Sequence, residues 1–391
     1  MRILGKGKTA LAIQQLYNEV TLYDDNDKQD YDIQSNQLTV VSPGIPPFNY
    51  LVKNTINLIS DYDLFLTNKY YIQKDNLFTI WISGTNGKTT TTQMLEHLLK
   101  DKGYISGGNI GEPLANVIHK SDKLILETSS FTLHYTKYAK PNIYILLPIS
   151  EDHISWHGSY REYEKAKLKP LDNLKEGEIA LIPSKYKDYP TNGYKVCYSC
   201  VEDLETIFNI DSKKIDFKEP FLIDALLSLS VSRILFDEVD YSLINSFRQD
   251  AHKLEEFYDS KNRLWIDDSK ATNVDATIQA LKSYKDKKIY LILGGDDKGA
   301  NLNSLFIYMK KYDIEIFAIG ANSEKIIELS NIYNIDVNLS NTLEKAILQI
   351  SNKFDNKNGA IALLSPAAAS LDQFNSYKHR GEEFKKNIKN I

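Results

Sequence analysis

The chain has 391 residues, of which 42% are hydrophobic and 25% charged. This composition is that of an ordinary globular protein, and the length predicts two or three domains. A formal net charge of −5 argues against a nucleic-acid-binding protein. Two cysteines indicate a reducing compartment, and the apolar runs are too short for a membrane span or a signal peptide. We therefore expect a cytoplasmic protein with no nucleic-acid or membrane partner.

The chain opens with a predicted strand, Arg2–Leu4, followed by Gly5-Lys6-Gly7-Lys8-Thr9-Ala10 and a helix. The next strand, Val20–Tyr23, ends at Asp24. A G-x-G-x-x-A turn with an acidic residue at the end of the following strand is the Rossmann arrangement for gripping a nucleotide ribose. A plain βαβ turn is the alternative.

Two further strands are predicted in this region, at Leu38–Val41 and Asp63–Leu66. The turn beginning Ser42-Pro43-Gly44 follows the first of them. Ligands bind at the C-terminal ends of strands in such sheets, so this turn is a candidate ligand contact.

A second segment contains the apolar run Phe78–Ile82, then Gly84-Thr85-Asn86-Gly87-Lys88-Thr89-Thr90, then a helical pattern. A strand, a glycine-rich turn and a helix N-terminus together form an anion site. Lys88 is placed to reach phosphates and Thr89 to offer a hydroxyl to Mg²⁺. Ile82 stands where the strict phosphate-loop pattern has its first glycine, yet we predict a nucleoside triphosphate site.

Glu127 ends the next predicted strand, where a carboxylate can hold Mg²⁺. The alternative is a solvated carboxylate. His153 and His157 are four residues apart, but the stretch from Ile154 to Gly158 reads as a loop with no carboxylate between the histidines, so a zinc site is not favoured. We interpret His153 as a ligand or positioning group near the phosphates and leave His157 as structural or exposed.

Lys167 lies in a predicted helix, on the same face as Tyr160 and Tyr163. An exposed lysine is the default reading. If the aromatic face is buried instead, burial lowers the lysine pKa. A neutral amine can react with CO₂ to give a carbamate, a negative oxygen ligand suited to Mg²⁺.

Cys197 and Cys200 form a C-x-x-C pattern with no second ligand pair, so we interpret it as coincidence. A third α/β unit begins near Phe257, and its alternating strands and helices predict parallel sheets throughout. Three polar loops follow its strands, and each alone could be a surface loop. Together they predict a second ligand-binding edge, with Asp268 suited to a ribose and Lys270 to an anion.

These motifs resemble the Mur ligase family. The segment Gly84–Thr90 is similar to the phosphate loop that Mur ligases share with folylpolyglutamate synthases. Four further motifs are similar to the D-glutamate-adding branch: Gly108-Asn109-Ile110-Gly111, Glu127-Thr128-Ser129-Ser130-Phe131, Asp267 to Asn273, and Ser365 to Phe374. The sibling branches carry Tyr-His or Tyr-Asn where this chain has Ser-Lys-Ala-Thr. The resemblance runs nearly end to end.

The resemblance implies an α/β protein of three domains: residues 1–74, a Rossmann-like domain for the UDP-sugar; residues 75–256, a central P-loop ATPase with a parallel sheet; and residues 257–391, a C-terminal Rossmann-like domain for D-glutamate and part of ATP. It implies that ATP phosphorylates the carboxylate of UDP-N-acetylmuramoyl-L-alanine and that D-glutamate attacks the acyl phosphate, in peptidoglycan synthesis. ATP and two Mg²⁺ ions are the implied cofactors, and we expect a monomer.

The resemblance also implies residue roles. The catalytic residues are Lys88, Glu127, His153 and Lys167. The metal ligands are Thr89, Glu127, His153 and an N6-carboxylated Lys167. The ATP contacts are Gly84, Thr85, Asn86, Gly87, Lys88, Thr89, Thr90, Lys253, Asp268 and Lys270. The UDP-sugar contacts are Gly5, Gly7, Lys8, Thr9, Asp24, Ser42, Gly44, Asn109 and His153. The D-glutamate contacts are Lys270, Thr272, Lys298, Ser370 and Tyr377.

The chain departs from the family pattern at four places. Its N-terminal domain is short, which leaves the uracil contacts open. Lys253 stands for the usual arginine of a His-Arg pair, and Tyr377 for the usual phenylalanine. The usual His-Asn-x-x-Asn is replaced by Glu219-Pro220 followed by Asp224, which leaves adenine recognition open. The alternatives are a sibling Mur ligase, a folylpolyglutamate synthase, or a catalytically silent nucleotide-binding regulatory protein.

Overall fold

The computed structural model describes residues 1–70, 76–354 and 359–391. Within these ranges the chain is mixed α/β, with three sheets that are almost entirely parallel, and the predicted class is confirmed. The chain divides into two compact units, Met1–Phe217 with Phe221–Phe247, and Lys218–Pro220 with Arg248–Ile391. The predicted boundary at residue 74 lies outside the described residues. No helix within the described ranges is both long and apolar enough to cross a membrane.

The first unit begins with a four-stranded parallel sheet in the order β2-β1-β3-β4. Its elements are β1 (Arg2–Leu4), α1 (Lys8–Leu16), β2 (Thr21–Tyr23), β3 (Thr39–Val41), α2 (Tyr50–Lys53), β4 (Leu58–Ile59) and α3 (Asp61–Phe65). The strand predicted at Asp63–Leu66 is wrong, because these residues belong to α3 and its C-cap. Ser60 caps this helix by accepting from the backbone N–H of Asp63, and acidic side chains in the first turn favour a helix N-terminus.

The second sheet of this unit has six parallel strands in the order β10-β9-β8-β5-β7-β6. Its strands are β5 (Phe78–Ser83), β6 (Ile105–Gly108), β7 (Lys123–Glu127), β8 (Ile143–Leu146), β9 (Ile179–Pro183) and β10 (Tyr194–Tyr198). The helices are α4 (Lys88–Leu99), α5 (Leu114–Val117), α6 (Ser130–Tyr135), α7 (Ile154–His157), α8 (Tyr160–Asn173), α9 (Val201–Phe208), α10 (Phe221–Phe236) and α11 (Tyr241–Asn245). The prediction of a loop from Ile154 to Gly158 is therefore wrong, because Ile154–His157 form the short helix α7.

Strand β5 is buried on both faces. Ile80 and Ile82 pack into one hydrophobic cluster, and Trp81 between them packs into the other. Alternate side chains of a strand point to opposite faces, so an uninterrupted apolar run fits a parallel sheet covered on both sides. Because β5 pairs with β7 on one side and β8 on the other, the loop after β5 lies at the centre of the sheet's C-terminal edge.

The second unit holds a six-stranded sheet in the order β11-β12-β16-β13-β14-β15. Its elements are β11 (Glu255–Tyr258), β12 (Leu264–Asp267), α12 (Val274–Ser283), β13 (Ile289–Leu293), α13 (Asn303–Met309), β14 (Ile314–Ile319), α14 (Ser323–Tyr333), β15 (Asp336–Asn341), α15 (Leu343–Lys353), β16 (Ile361–Leu364) and α16 (Tyr377–Lys389). Strand β11 pairs antiparallel with β12, so the prediction of parallel sheets throughout is wrong at this edge. The connection between them is a short hairpin, whereas a parallel pair needs a crossover.

Candidate active site

The loop between β5 and α4 is built around two glycines with positive φ, Gly84 at +142° and Gly87 at +82°. A Cβ on Gly84 would overlap the side chain of Leu147, and one on Gly87 would lie 2.6 Å from Asp224 Oδ1. Larger residues are therefore excluded by both backbone conformation and space. The predicted order of strand, glycine-rich turn and helix is confirmed, and the N-terminus of α4 supplies the partial positive charge that attracts anions.

Lys88 opens α4 and its side chain folds back over the loop. Its Nζ donates to the carbonyl oxygens of Gly84, at 3.0 Å, and Thr85, at 2.7 Å. The ammonium is thus held within the curve of the loop, where a lysine attracts phosphate oxygens as a point charge.

Glu127, at the end of β7, is only 3% exposed. Its Oε2 accepts from Thr89 Oγ1 at 2.8 Å, and its Oε1 accepts from Asn109 Nδ2 at 2.6 Å. The structure therefore brings together three residues predicted from separate motifs, and the alternative of a solvated carboxylate is wrong. A carboxylate beside a hydroxyl is a set of hard oxygen donors of the kind that Mg²⁺ prefers.

Lys167 of α8 is 1% exposed, so the prediction of a buried lysine is confirmed and the exposed reading is wrong. Its Nζ donates to Gly84 O at 2.7 Å and to Ser83 Oγ at 3.4 Å. Burial lowers the pKa of the Lys167 amine well below its usual value, and the charge of Lys88 lowers it further. Lys167 is therefore an amine directly behind the phosphate loop, in an environment that disfavours its charged form.

Tyr163 is a residue whose role the sequence did not reveal. Its hydroxyl lies 3.0 Å from Thr85 Oγ1, and the Lys167 Nζ lies 4.8 Å from the centre of its ring. Tyr163 thus connects α8 to the phosphate loop. The only available signal was the helical spacing that places Tyr163 on the face of Lys167.

The two histidines occupy different environments. His153 has φ of +54° and a side chain that is 47% exposed, and its ring centre lies 6.1 Å from that of Tyr163. His157 is buried, and its Nε2 lies 3.0 Å from Ser130 Oγ. Burial lowers the pKa of His157 to about 3, so its ring is neutral. Of the two readings left open for His157, the structural one is correct.

Among the candidate UDP-sugar residues, Ser42 and Asp24 lie beside the first glycine-rich turn, whereas Asn109 contacts Glu127. Gly5 has φ of +107°, and a Cβ there would lie 2.5 Å from Ser42 Oγ. Among the described residues, the buried Ser42 hydroxyl has no hydrogen-bond partner. Gly44 O accepts from Trp156 Nε1 at 3.3 Å, which fixes the turn after β3. Asp24, expected to hold a ribose, forms an ion pair with Lys6 at 3.0 Å.

In the second unit, Asp268 is 7% exposed and both its oxygens are engaged within the unit. Oδ2 accepts from Ser365 Oγ at 2.7 Å and Oδ1 from the backbone N–H of Leu254 at 3.3 Å. Burial raises the pKa of Asp268 to about 8. Asp268 thus joins two segments of its own unit, and its contact with a ribose stays a prediction.

Four of the candidate D-glutamate residues lie on loops that meet at one edge of the third sheet, and the fifth, Tyr377, begins α16. Lys270 Nζ lies 4.2 Å from the ring centre of Tyr377. An isolated bridge between Asp296 and Ala369 joins the loop of Lys298 to the loop of Ser370. A buried arginine that the sequence did not single out, Arg380, donates to the loops on either side.

Comparison with known proteins agrees with this architecture. Residues 82–195 match the Mur ligase middle domain. The chain is 46% identical to a UDP-N-acetylmuramoylalanine–D-glutamate ligase from Campylobacter jejuni strain 81-176, in an alignment that covers 100% of this chain and 99% of that relative. It is 42% identical to the corresponding ligase of Helicobacter pylori strain HPAG1, over 98% of each chain.

Solved structures with low sequence identity share the fold. MurF from Acinetobacter baumannii aligns with a TM-score of 0.62 at 13% identity, over 81% of this chain and 77% of its own. A pseudomurein peptide ligase type C from Methanothermus fervidus aligns with a TM-score of 0.58 at 18% identity, over 98% and 99%. The fold is thus that of the Mur ligases. At the level of sequence, the chain belongs to the family of UDP-N-acetylmuramoylalanine–D-glutamate ligases.

Proposed function

We propose that the protein is an ATP-dependent amide ligase that adds D-glutamate to UDP-N-acetylmuramoyl-L-alanine through an acyl phosphate, in peptidoglycan synthesis. The observation that carries the proposal is the buried Glu127 carboxylate. It accepts a hydrogen bond from the Thr89 hydroxyl beside a phosphate loop of the Mur ligase type. The substrates follow from the relatives named above. ATP use is supported by a Thermotoga maritima MurF solved with ADP, which has the same fold with a TM-score of 0.60 at 15% identity, over 90% of this chain and 88% of its own.

The donor set at the loop fits a magnesium nucleotide. Thr89 and Glu127 would hold one Mg²⁺, and His153 with Lys167 a second, while the segment Gly84–Thr90 grips the phosphates. Mg²⁺ held by these residues would neutralise the charge that develops on the transferred phosphoryl group. Lys88 and the N-terminus of α4 are placed to bind and orient the same phosphates from the protein side.

Lys167 is proposed to be carboxylated at its side-chain nitrogen. The neutral amine forms a bond to the carbon of CO₂, and one proton leaves to water. The observations that support this are the burial of Lys167 and its lowered pKa. The product would add a negative oxygen behind the phosphate loop, where Lys167 contacts Gly84.

The remaining roles are proposed as the family resemblance implies. Residues 1–74, 75–256 and 257–391 form three domains that bind the UDP-sugar, ATP, and D-glutamate with part of ATP. The UDP-sugar site includes Gly5, Ser42 and Asn109. Lys253, Asp268 and Lys270 contact ATP, and Lys270, Thr272, Lys298, Ser370 and Tyr377 hold D-glutamate. The enzyme acts as a cytoplasmic monomer.

Phosphate release tests the substrate directly. The protein is given ATP, Mg²⁺ and UDP-N-acetylmuramoyl-L-alanine with D-glutamate, L-glutamate, L-lysine or diaminopimelate in turn. In a separate assay, folate replaces the UDP-sugar as the carboxylate to be activated, and L-glutamate is the amine. We expect release with D-glutamate alone and none in Lys88→Ala. Turnover with folate or with another amino acid would favour a sibling enzyme. No turnover with any acceptor would favour a silent nucleotide-binding protein.

A further inference from the structure

Arg380, on α16 of the second unit, is 1% exposed, yet it is held by neutral oxygens only. Its Nε donates to Ser269 Oγ at 3.0 Å, and its Nη2 donates to Ser269 O at 2.8 Å and Ala368 O at 3.1 Å. Its Nη1 donates to Ala369 O at 3.4 Å. Across the described part of the chain, no carboxylate forms an ion pair with this guanidinium.

A buried charge without a paired carboxylate is unfavourable for folding. Burial lowers the pKa of Arg380 to about 10, while the charges of Asp372, Asp267 and Asp268 act in the opposite direction. The side chain therefore remains a cation at neutral pH. A cation retained under these conditions calls for a role that a neutral side chain would not fill.

The acceptors of Arg380 belong to the segments that carry the candidate D-glutamate residues. Ser269 directly precedes Lys270, and Ala368 and Ala369 directly precede Ser370. Ser269 Oγ also donates to the carbonyl oxygen of Tyr377, at 2.8 Å. One guanidinium thus fixes the relative position of two loops and the start of α16.

We propose that Arg380 is a positioning residue for the amino-acid acceptor. It fixes the positions of the loops that carry Lys270 and Ser370 relative to each other. It also adds positive charge next to a site that binds an amino acid with two carboxylates. The inference rests on the proposed function, in which D-glutamate is that acceptor. A planar guanidinium suits this role because it directs several N–H groups at fixed angles, which an ammonium does not.

Steady-state kinetics of Arg380→Ala tests the proposal. We expect KM for D-glutamate to rise about tenfold or more, the scale of a lost charge-assisted contact. KM for ATP should rise less, since Asp268 and Lys270 on the same loop are also proposed to contact ATP. KM for UDP-N-acetylmuramoyl-L-alanine, whose candidate residues lie in the first unit, should change by less than about twofold. Guanidinium chloride at low millimolar concentration should lower the raised KM, because the free cation can occupy the vacated cavity. A merely structural defect would not be relieved by the free cation, because guanidinium chloride at this concentration is far too dilute to change folding.

A matched control is Arg263→Ala. Arg263 is also a buried arginine of this unit, but it bonds Asp259 and Ser351, away from the candidate acceptor loops. This variant should lose thermal stability and keep the wild-type KM for D-glutamate.

Three results would overturn the inference: an unchanged KM for D-glutamate in Arg380→Ala, an equal rise in all three KM values, or a rise in Arg263→Ala of the same size. If Arg380→Ala does not fold, Ser269→Ala removes one partner of the guanidinium and should raise KM for D-glutamate about threefold. An unchanged KM there would also overturn it. If the wild type does not turn over D-glutamate at all, the proposed function itself fails, which the wild-type assay reveals before any variant is made.

Discussion

The side-chain nitrogen of Lys167 donates a 2.7 Å hydrogen bond to the carbonyl oxygen of Gly84, the first glycine of the phosphate loop. The amine that is proposed to react with CO₂ therefore already contacts the loop that is proposed to hold ATP. Burial of this amine disfavours the ammonium, which cannot attack CO₂, and leaves the reactive neutral form.

Lys167→Ala should lose activity by about a thousandfold, the scale of a group that acts only in the transition state. Acetate or another short carboxylate should partly restore it by replacing the missing oxygen ligand. NMR with ¹³C-labelled CO₂ should show a carbamate signal in the wild type that is absent from the variant. Lys165→Ala, an exposed lysine on the same helix, should keep both activity and signal. Full activity in Lys167→Ala would contradict the assignment.

Glu127→Gln should lower activity about a hundredfold and raise the Mg²⁺ concentration needed for half-maximal rate, because the amide keeps the size of the side chain and removes its charge. A Mg²⁺ titration of the initial rate measures both effects. The control is Glu112→Gln, which alters an exposed glutamate after β6 and should titrate like the wild type. Unchanged Mg²⁺ dependence in Glu127→Gln would argue against a metal role for this carboxylate.

Local patterns predicted the parts of the site that depend on neighbours in sequence. The apolar run of β5 and the glycines after it predict the phosphate loop, because burial on both faces and positive φ each demand those residue types. The spacing of Tyr163 and Lys167 predicted that both lie on one helix face. Their burial then followed from the packing of that face.

Contacts between distant residues could not be predicted in this way. Tyr163 forms a hydrogen bond with Thr85, which is 78 positions away in the sequence, and Arg380 forms one with Ser269, which is 111 positions away. No spacing rule links such pairs, since tertiary packing alone brings them together. The wrong prediction of a strand at Asp63–Leu66 has a different cause. A short apolar run fits either a strand or a helix, and here the N-cap at Ser60 favours the helix α3.

Asp63→Ala should lower the free energy of unfolding by about 3 kcal/mol, because it leaves buried backbone N–H groups without acceptors. Asp63 is fully buried, and its carboxylate accepts from the backbone N–H groups of Lys137, Tyr138 and Ala139 at 2.8, 2.7 and 2.9 Å. Urea unfolding measures the change. Asp188→Ala, at an exposed position, should stay within about 0.5 kcal/mol of the wild type. Equal losses in the two variants would refute the assignment.

Ionisation of the buried Asp61 carboxyl should lower the free energy of unfolding as pH rises. This carboxyl is 5% exposed, and its Oδ1 has no hydrogen-bond partner among the described residues. Burial raises its pKa from 3.8 to about 7. Between these two values the folded protein keeps a proton that the unfolded chain has released, so the unfolded state binds fewer protons and stability declines with pH. The stability that the protonated Asp61 carboxyl contributes is fully present below about pH 4 and has been lost above about pH 7.

Asp61→Asn removes this titration and should therefore be less sensitive to pH than the wild type. From pH 5 to pH 8 the wild type should lose about 3 kcal/mol of unfolding free energy relative to the variant, since each pKa unit corresponds to about 1.4 kcal/mol. Urea unfolding at the two pH values gives the difference directly, and comparison with the variant cancels the contribution of Asp268, which both proteins share. If wild type and Asp61→Asn lose stability in parallel, the buried Asp61 carboxyl is not the group responsible.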